Sequence, residues 1–199
     1  MEAHWYFDFS TPFSYLQLGK VREWRSRMPV SPVPISTRAL LRYQHDAKPA
    51  SGDVSESATR FIKWRAKTAG IALQFPPTYP FNAAAALRLC IAAGSSWPAV
   101  EAIFGHIWRD GRNAASTSDL IDVGLALGLS DVDAAIKAVA TGTQLRLNTE
   151  SAIAIGVRGA PCMRVGSELF WGSDASVRLD EWLAHGAGAS DLRLKVGWY

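Results

Sequence analysis

The sequence predicts an α/β fold in which a small sheet-forming domain is interrupted by a large all-helical insertion. Three observations predict it. The chain opens with strict alternation, Trp5, Phe7 and Phe9 on one face and His4, Tyr6 and Asp8 on the other. From about Arg38 to Leu147 the apolar spacing is helical and alternation is absent. Strand character then returns between Pro161 and Trp171.

Each element has a local cause. The first strand is expected to end near Ser10, where Thr11-Pro12 reads as a helix start: a threonine hydroxyl can cap free backbone N–H groups, and proline suits the first helical turn. Phe13, Leu16, Val21 and Trp24 carry that helix to about Arg27, and Met28-Pro29 stops it. Val30 to Ser36 reads as a second strand whose prolines confine it to an edge or a strand start.

In the insertion, Asp53 and Glu56 resemble a capping box ahead of Ala58, Phe61 and Ile62, read as one face of a helix reaching about Gly70. Pro98 opens another helix, striped by Val100, Ile103, Phe104, Ile107 and Trp108 and ended by Gly111. Shorter helices are expected near 117–127 and 131–140, parted by Gly128 and Ser130. Pro161–Val165, a Gly166-Ser167 turn and Glu168–Trp171 form a hairpin. A last helix from about Asp174 to Ala184 would be capped by Ser173. The order is that of a thioredoxin-like domain, 1–37 with 146–199, carrying a helical insertion domain at 38–145.

Composition narrows the function. Of the 199 residues 48% are hydrophobic, which supplies a full core, while the 21 Lys and Arg are scattered among 18 acids, so nucleic acid is not the expected partner. Met1–Tyr6 lacks a basic segment followed by a long apolar run, and nothing approaches the roughly 18 apolar residues of a membrane span. A cytoplasmic location is expected. Cys90 and Cys162 form no CxxC pair, and the four histidines share no metal-ligand spacing, so no metal is expected.

Two segments carry chemistry. In Phe7-Asp8-Phe9-Ser10-Thr11-Pro12-Phe13-Ser14-Tyr15, a hydroxyl stands where a strand ends and a helix begins, facing unpaired N–H groups and the positive end of the helix dipole. Such a position stabilises a thiolate. Thr11 and Ser14 occupy the places of the two cysteines of a CPxC oxidoreductase, and as hydroxyls they form no disulfide. An ordinary threonine cap with proline at the first turn is the structural alternative. In the second segment, Gly156 to Cys162 has the form of a cis-proline loop at Ala160-Pro161, with a plain turn before a strand as its alternative.

Together these segments resemble the 2-hydroxychromene-2-carboxylate isomerase family, a DsbA-like thioredoxin-fold group related to kappa-class glutathione transferases. FDFSTPFSY is similar to the family's FDFxSPxSY opening, and GVRGAPCMRVGSELFWGSD to its GVxGVPTFxxxxExFWGxD segment. Phe75-Pro76-Pro77-Thr78-Tyr79-Pro80-Phe81-Asn82 resembles FPxxxPxN, and Trp108 to Arg112 a W-x-x-G-R region.

The resemblance implies glutathione as cofactor and a small aromatic or conjugated substrate of aromatic-compound catabolism. Thr11 would hydrogen-bond the glutathione sulfur as the catalytic hydroxyl. Ala160 and Pro161 would meet the cysteinyl backbone, and Trp171, Gly172, Ser173 and Asp174 the γ-glutamyl end. Tyr79, Asn82 and His45 become candidate substrate contacts, the last within Leu40–Pro49, where the family carries an FKxxGN-like loop; Arg42 and Lys48 are further candidates there. The family residue at position 11 is serine, and threonine adds a methyl that restricts χ1. A homodimer is implied by likeness alone. The same thiolate site would serve a kappa-like transferase, and a DsbA-like thiol- or peptide-binding protein without catalysis is the remaining alternative.

Overall fold

A computed structural model describes residues 2–44, 55–172 and 175–185. Its sheet has the order β2-β1-β3-β4, built from β1 (Ala3–Phe7), β2 (Val30–Pro34), β3 (Cys162–Val165) and β4 (Glu168–Trp171). β1 runs parallel to β2 and antiparallel to β3, and β3 and β4 form the expected hairpin. The proline-bearing β2 lies at an edge, where a missing N–H leaves no neighbour unpaired. This is the thioredoxin-like α/β arrangement with a helical insertion.

The alternation of β1 separates two cores. Trp5 and Phe7 stack at 4.7 Å on one face, and Phe9, just beyond the strand, packs on Phe104 at 4.5 Å. These rings join the main core with Trp24, Ile103 and Trp108. Tyr6 faces the other way, into a smaller core with Ile35, Leu40, Ala152, Val157 and Cys162. The strand ends at Phe7, earlier than the Ser10 expected, because Asp8 turns the chain out of the sheet as described below.

Helix α1 (Pro12–Arg25) follows β1 and α2 (Thr37–Gln44) follows β2. Position 42, expected within a substrate loop, therefore lies on a helix. Residues His45 and Lys48 of the same expected loop lie outside the described residues. Helix α3 (Glu56–Thr68) is capped by Ser55, whose hydroxyl accepts the Ala58 N–H at 3.2 Å. Asp53, expected as part of that cap, lies outside the described residues. The buried face of α3 is Ile62 and Ala66, while Phe61, expected on the apolar face, is turned outward.

Helix α4 (Ala84–Ala92) has no counterpart among the expected elements. Helix α5 (Trp97–Phe104) is capped by Ser96 and continues into a π-helical turn over Gly105–Arg109. A short 3₁₀ turn, α6 (Ile121–Ala126), α7 (Val132–Lys137) and α8 (Val139–Ala154) complete the helical layer, and α9 (Ala175–His185) follows the hairpin. No described helix is long and apolar enough to cross a membrane.

Candidate active site

Sheet register brings three chain segments to one end of the central strands. Tyr6 pairs with Cys162, and Cys162 pairs with Trp171. The chain leaving β1 toward Thr11, the chain entering β3 from Pro161, and the chain leaving β4 at Gly172 therefore meet at the same edge. The Ala160–Pro161 peptide is cis, as the loop sequence predicts. The Gly172 N–H donates to the Pro161 carbonyl at 2.9 Å, and Gly172 itself has φ +81°, a backbone conformation glycine adopts readily.

Thr11 is the N-cap of α1 by backbone conformation, followed by Pro12 at the first helical position. Its side chain does not make the capping hydrogen bond expected of it. The half-buried hydroxyl is left uncommitted at the N-terminus of a fourteen-residue helix, where Pro12 has no N–H and the Ser14 N–H donates to the Thr11 carbonyl at 3.2 Å, so the Phe13 N–H and the positive end of the dipole face outward. That arrangement suits an external anion better than a self-capped turn does. Ser14, one turn on, is fully buried and its hydroxyl has no hydrogen-bond partner.

Ser10 is removed from consideration by Asp8. The carboxylate, 2% exposed, accepts from the Ser10 N–H and hydroxyl, both at 2.9 Å through Oδ1. Through Oδ2 it accepts from the Thr37 N–H at 2.8 Å and the Thr37 hydroxyl at 2.6 Å. One buried anion thus ties the loop before Thr11 to the start of α2, and four donors compensate its desolvation.

Two further residues fix the frame. Gln17, buried on α1, accepts from the Trp5 indole N–H at 2.8 Å. Its amide donates toward the Gly172 carbonyl at 3.4 Å and the Ser176 hydroxyl at 3.3 Å. From the insertion, the buried Trp108 indole donates to the Phe9 carbonyl at 2.9 Å. Sequence reading did not assign roles to Asp8, Gln17 or Trp108 in the site, although Asp8 and Trp108 stood inside quoted motifs; the contacts that define those roles, with Thr37, Gly172 and Phe9, are distant in sequence.

The remaining candidates separate. Trp171 is 58% exposed and its indole lies against Gly159, so close that a Cβ there would meet Nε1 at 2.7 Å. Ala160 is half-buried and packs on the smaller core. Ser173 and Asp174 lie outside the described residues, as does His45. Tyr79 is half-buried, 5.4 Å from Trp108 and 5.1 Å from Phe75 between ring centres, and burial raises its phenol pKa. Its peptide with Pro80 is also cis. Asn82 is exposed, and its Oδ1 accepts the N–H of Ala84, the first residue of α4, at 3.2 Å. Both cysteines are buried; burial pushes the Cys162 thiol up to about 12 and Cys90 higher still, so neither is a ready thiolate.

Comparison with known proteins agrees with this frame. A 2-hydroxychromene-2-carboxylate isomerase of Sphingobium xenophagum is 27% identical over 201 aligned positions, covering 89% of this chain and 95% of the relative. A solved 2-hydroxychromene-2-carboxylate isomerase superposes with a TM-score of 0.78 at 24% identity, covering 92% of this chain and 95% of that one. The cytosolic disulfide reductase DsbM of Pseudomonas aeruginosa, solved with GSH, gives 0.63 at 15% identity, with coverage of 92% and 96%. The DSBA-like thioredoxin domain matches residues 4–184, and the chain belongs to that family.

Proposed function

We propose that this protein is a glutathione-dependent isomerase of the 2-hydroxychromene-2-carboxylate isomerase type, acting on a conjugated aromatic-degradation intermediate. The observation that carries the reading is the uncommitted Thr11 hydroxyl at the N-terminus of α1. The site fits an external thiol: one free hydroxyl donor, the positive end of the α1 dipole, and no cysteine at position 11 or 14 to compete. The curated relative, aligned over nearly its whole length, supports isomerisation as the reaction class.

When bound, glutathione would supply the thiolate nucleophile that adds reversibly to the substrate and permits rotation about a former double bond. The chain's own part is electrostatic. Thr11 would donate a hydrogen bond from its hydroxyl to the sulfur, and the helix N-terminus would place positive potential beside it, lowering the thiol pKa from its ordinary value of roughly 8.5. Ala160 offers backbone groups to the peptide portion in strand-like pairing. Trp171, held against Gly159, walls that side. Asp8 keeps the Thr11 loop in register and takes up the Ser10 hydroxyl, so that a single side-chain hydroxyl is presented.

Glutathione titration by calorimetry, with ultraviolet difference absorbance for thiolate, tests the reading. Binding is expected at millimolar ligand or below, with thiolate present near neutrality in the wild type and lost in Thr11→Val. Absence of binding would refute glutathione dependence; unchanged thiolate in the variant would refute the role of Thr11. Irreversible conjugation of an electrophile, without isomerisation, would make the protein a transferase.

A further inference from the structure

We infer that the outer edge of β2 holds a second ligand site, separate from the candidate active site, that takes small apolar molecules carrying a primary carboxamide. The site follows from the direction in which the β2 backbone faces. The Ala3 N–H donates to the Pro29 carbonyl and the Ile35 N–H to the Phe7 carbonyl, so the odd-numbered residues of this stretch turn their polar groups toward β1. Val30, Pro32 and Pro34 therefore turn theirs outward. Proline has no N–H, so from Pro32 to Pro34 the edge offers carbonyl oxygens and no donor.

Two of these outward carbonyls are taken by the helices that flank the edge. The Trp97 indole N–H donates to the Val30 carbonyl at 3.2 Å, and the Asn148 amide to the Pro34 carbonyl at 3.1 Å. The carbonyl between them, that of Pro32, has no partner among the described residues, and Pro32 lines a cleft of 510 Å³. Ile91 of α4 and Ala140 of α8 give the cleft apolar walls. An added β-strand does not fit there, because a ladder needs N–H groups that Pro32 and Pro34 lack.

The side chains add a second open acceptor. The Pro34 carbonyl can only accept, so Asn148 presents its NH₂ to it and leaves Oδ1 to the Gln144 NH₂, which donates at 2.8 Å. The relay ends on Gln144 Oε1, which has no partner among the described residues. Asn148 keeps one further N–H, which suits the carbonyl of a carboxamide. Ser95, on the wall, has φ +48°, the one non-glycine among the described residues in that left-handed region, so its place is held at a conformational cost.

Charge decides the rest. No charged side chain among the described residues lines the cleft, so an ammonium ion would lose hydration without a counter-charge, and a carboxylate would face carbonyl oxygens. An uncharged NH₂ group can meet both the Pro32 carbonyl and Gln144 Oε1, with its apolar body between Ile91 and Ala140. None of these residues belongs to the candidate active site, and the site does not depend on glutathione.

The test is a titration of ¹⁵N-labelled protein, without glutathione, with benzamide, N,N-dimethylbenzamide and benzoate, followed through the backbone amides of Gly94, Ser95 and Gln144. Benzamide is expected to shift these resonances with millimolar affinity. The dimethyl compound keeps the ring and the carbonyl but has no N–H, and should bind at least about fivefold more weakly; benzoate should leave the resonances in place. Gln144→Met is expected to weaken benzamide by about three- to tenfold without changing the dimethyl compound. Ala140→Phe, which fills the cleft from an exposed position, should abolish the shifts, with thermal unfolding checked for both variants. Equal binding of the two amides would overturn the proposal, as would benzamide shifts confined to the surroundings of Thr11 and Trp171, or wild-type binding by a folded Ala140→Phe variant. Shifts of the same resonances on dilution of the unliganded protein would also overturn it, because a second copy of the chain would then occupy the cleft.

Discussion

The indole N–H of Trp108 reaches across from the helical insertion to the carbonyl of Phe9, two residues before Thr11, at 2.9 Å. The same ring is met by Phe75 at 5.7 Å and Tyr79 at 5.4 Å, and the Trp108 carbonyl accepts the Gln74 N–H at 2.7 Å. One residue of the π-helical turn therefore sets the Phe75–Tyr79 segment and the Thr11 loop against each other. Such turns occur often at functional sites.

Trp108→Phe keeps an aromatic ring but removes the donor and some volume. A buried carbonyl left unpaired and a partial cavity predict a loss of about 2–4 kcal/mol, or roughly 4–16 °C in Tm for a chain of this size. Thermal unfolding checks it. A loss below about 1 kcal/mol would show that the Phe9 carbonyl finds another donor.

Asp8→Asn tests the tie between the Thr11 loop and α2. An amide keeps one acceptor oxygen and turns the other position into a donor, which then opposes the Ser10 or Thr37 donors it replaced. The expected cost is about 2–4 kcal/mol, because hydrogen bonds to a buried charge are being lost. Denaturant unfolding measures it, and an Asn variant as stable as the wild type would sink the assignment.

The N-terminal strand, the 161–171 hairpin and the cis-proline were legible in sequence because each is written locally, in alternation, a Gly-Ser turn and an X-Pro bond. Helix α4 was not. Its residues Ala84 to Ala92 are apolar nearly all round, and its N-cap position is Ala83, which has no side-chain cap to offer, so neither a stripe nor a start signal marks it. Phe61 was misread for the opposite reason: a helical stripe was present, but Ile62 and Ala66 fill the inner face and leave the larger ring outside. The role of Asp8 depends on Thr37, twenty-nine residues away, and no local pattern carries such a pairing. Thr11 was found by position, and its hydrogen-bond freedom only by geometry.

Cys162 gives a pH prediction. Burial raises its thiol from 9.0 to about 12 in the folded protein. Between those values the unfolded chain loses a proton that the folded chain keeps, so stability falls as pH rises from about 9 toward about 12. Below pH 9 the thiol is protonated in both states and contributes no slope. Cys162→Ala should flatten the alkaline decline, although Cys90 retains its own share through the same burial. Unfolding midpoints at pH 8, 9, 10 and 11 for the two proteins check this; parallel curves would count against a burial-raised thiol at Cys162.

The final prediction separates what Thr11 does for the fold from what it does for a ligand. Ser55 and Ser96 are working caps, accepting the Ala58 N–H at 3.2 Å and the Ala99 N–H at 3.4 Å, so replacing either with alanine should cost about 1 kcal/mol. Thr11 makes no such bond. Thr11→Val keeps the branched shape and loses only the hydroxyl, and should therefore cost less than about 0.5 kcal/mol, the range of a substitution that breaks no contact. A helix start whose hydroxyl contributes nothing to stability has that hydroxyl available for something outside the chain. If Thr11→Val proves as destabilising as Ser96→Ala, the hydroxyl is engaged in capping in solution, and the site loses its free donor.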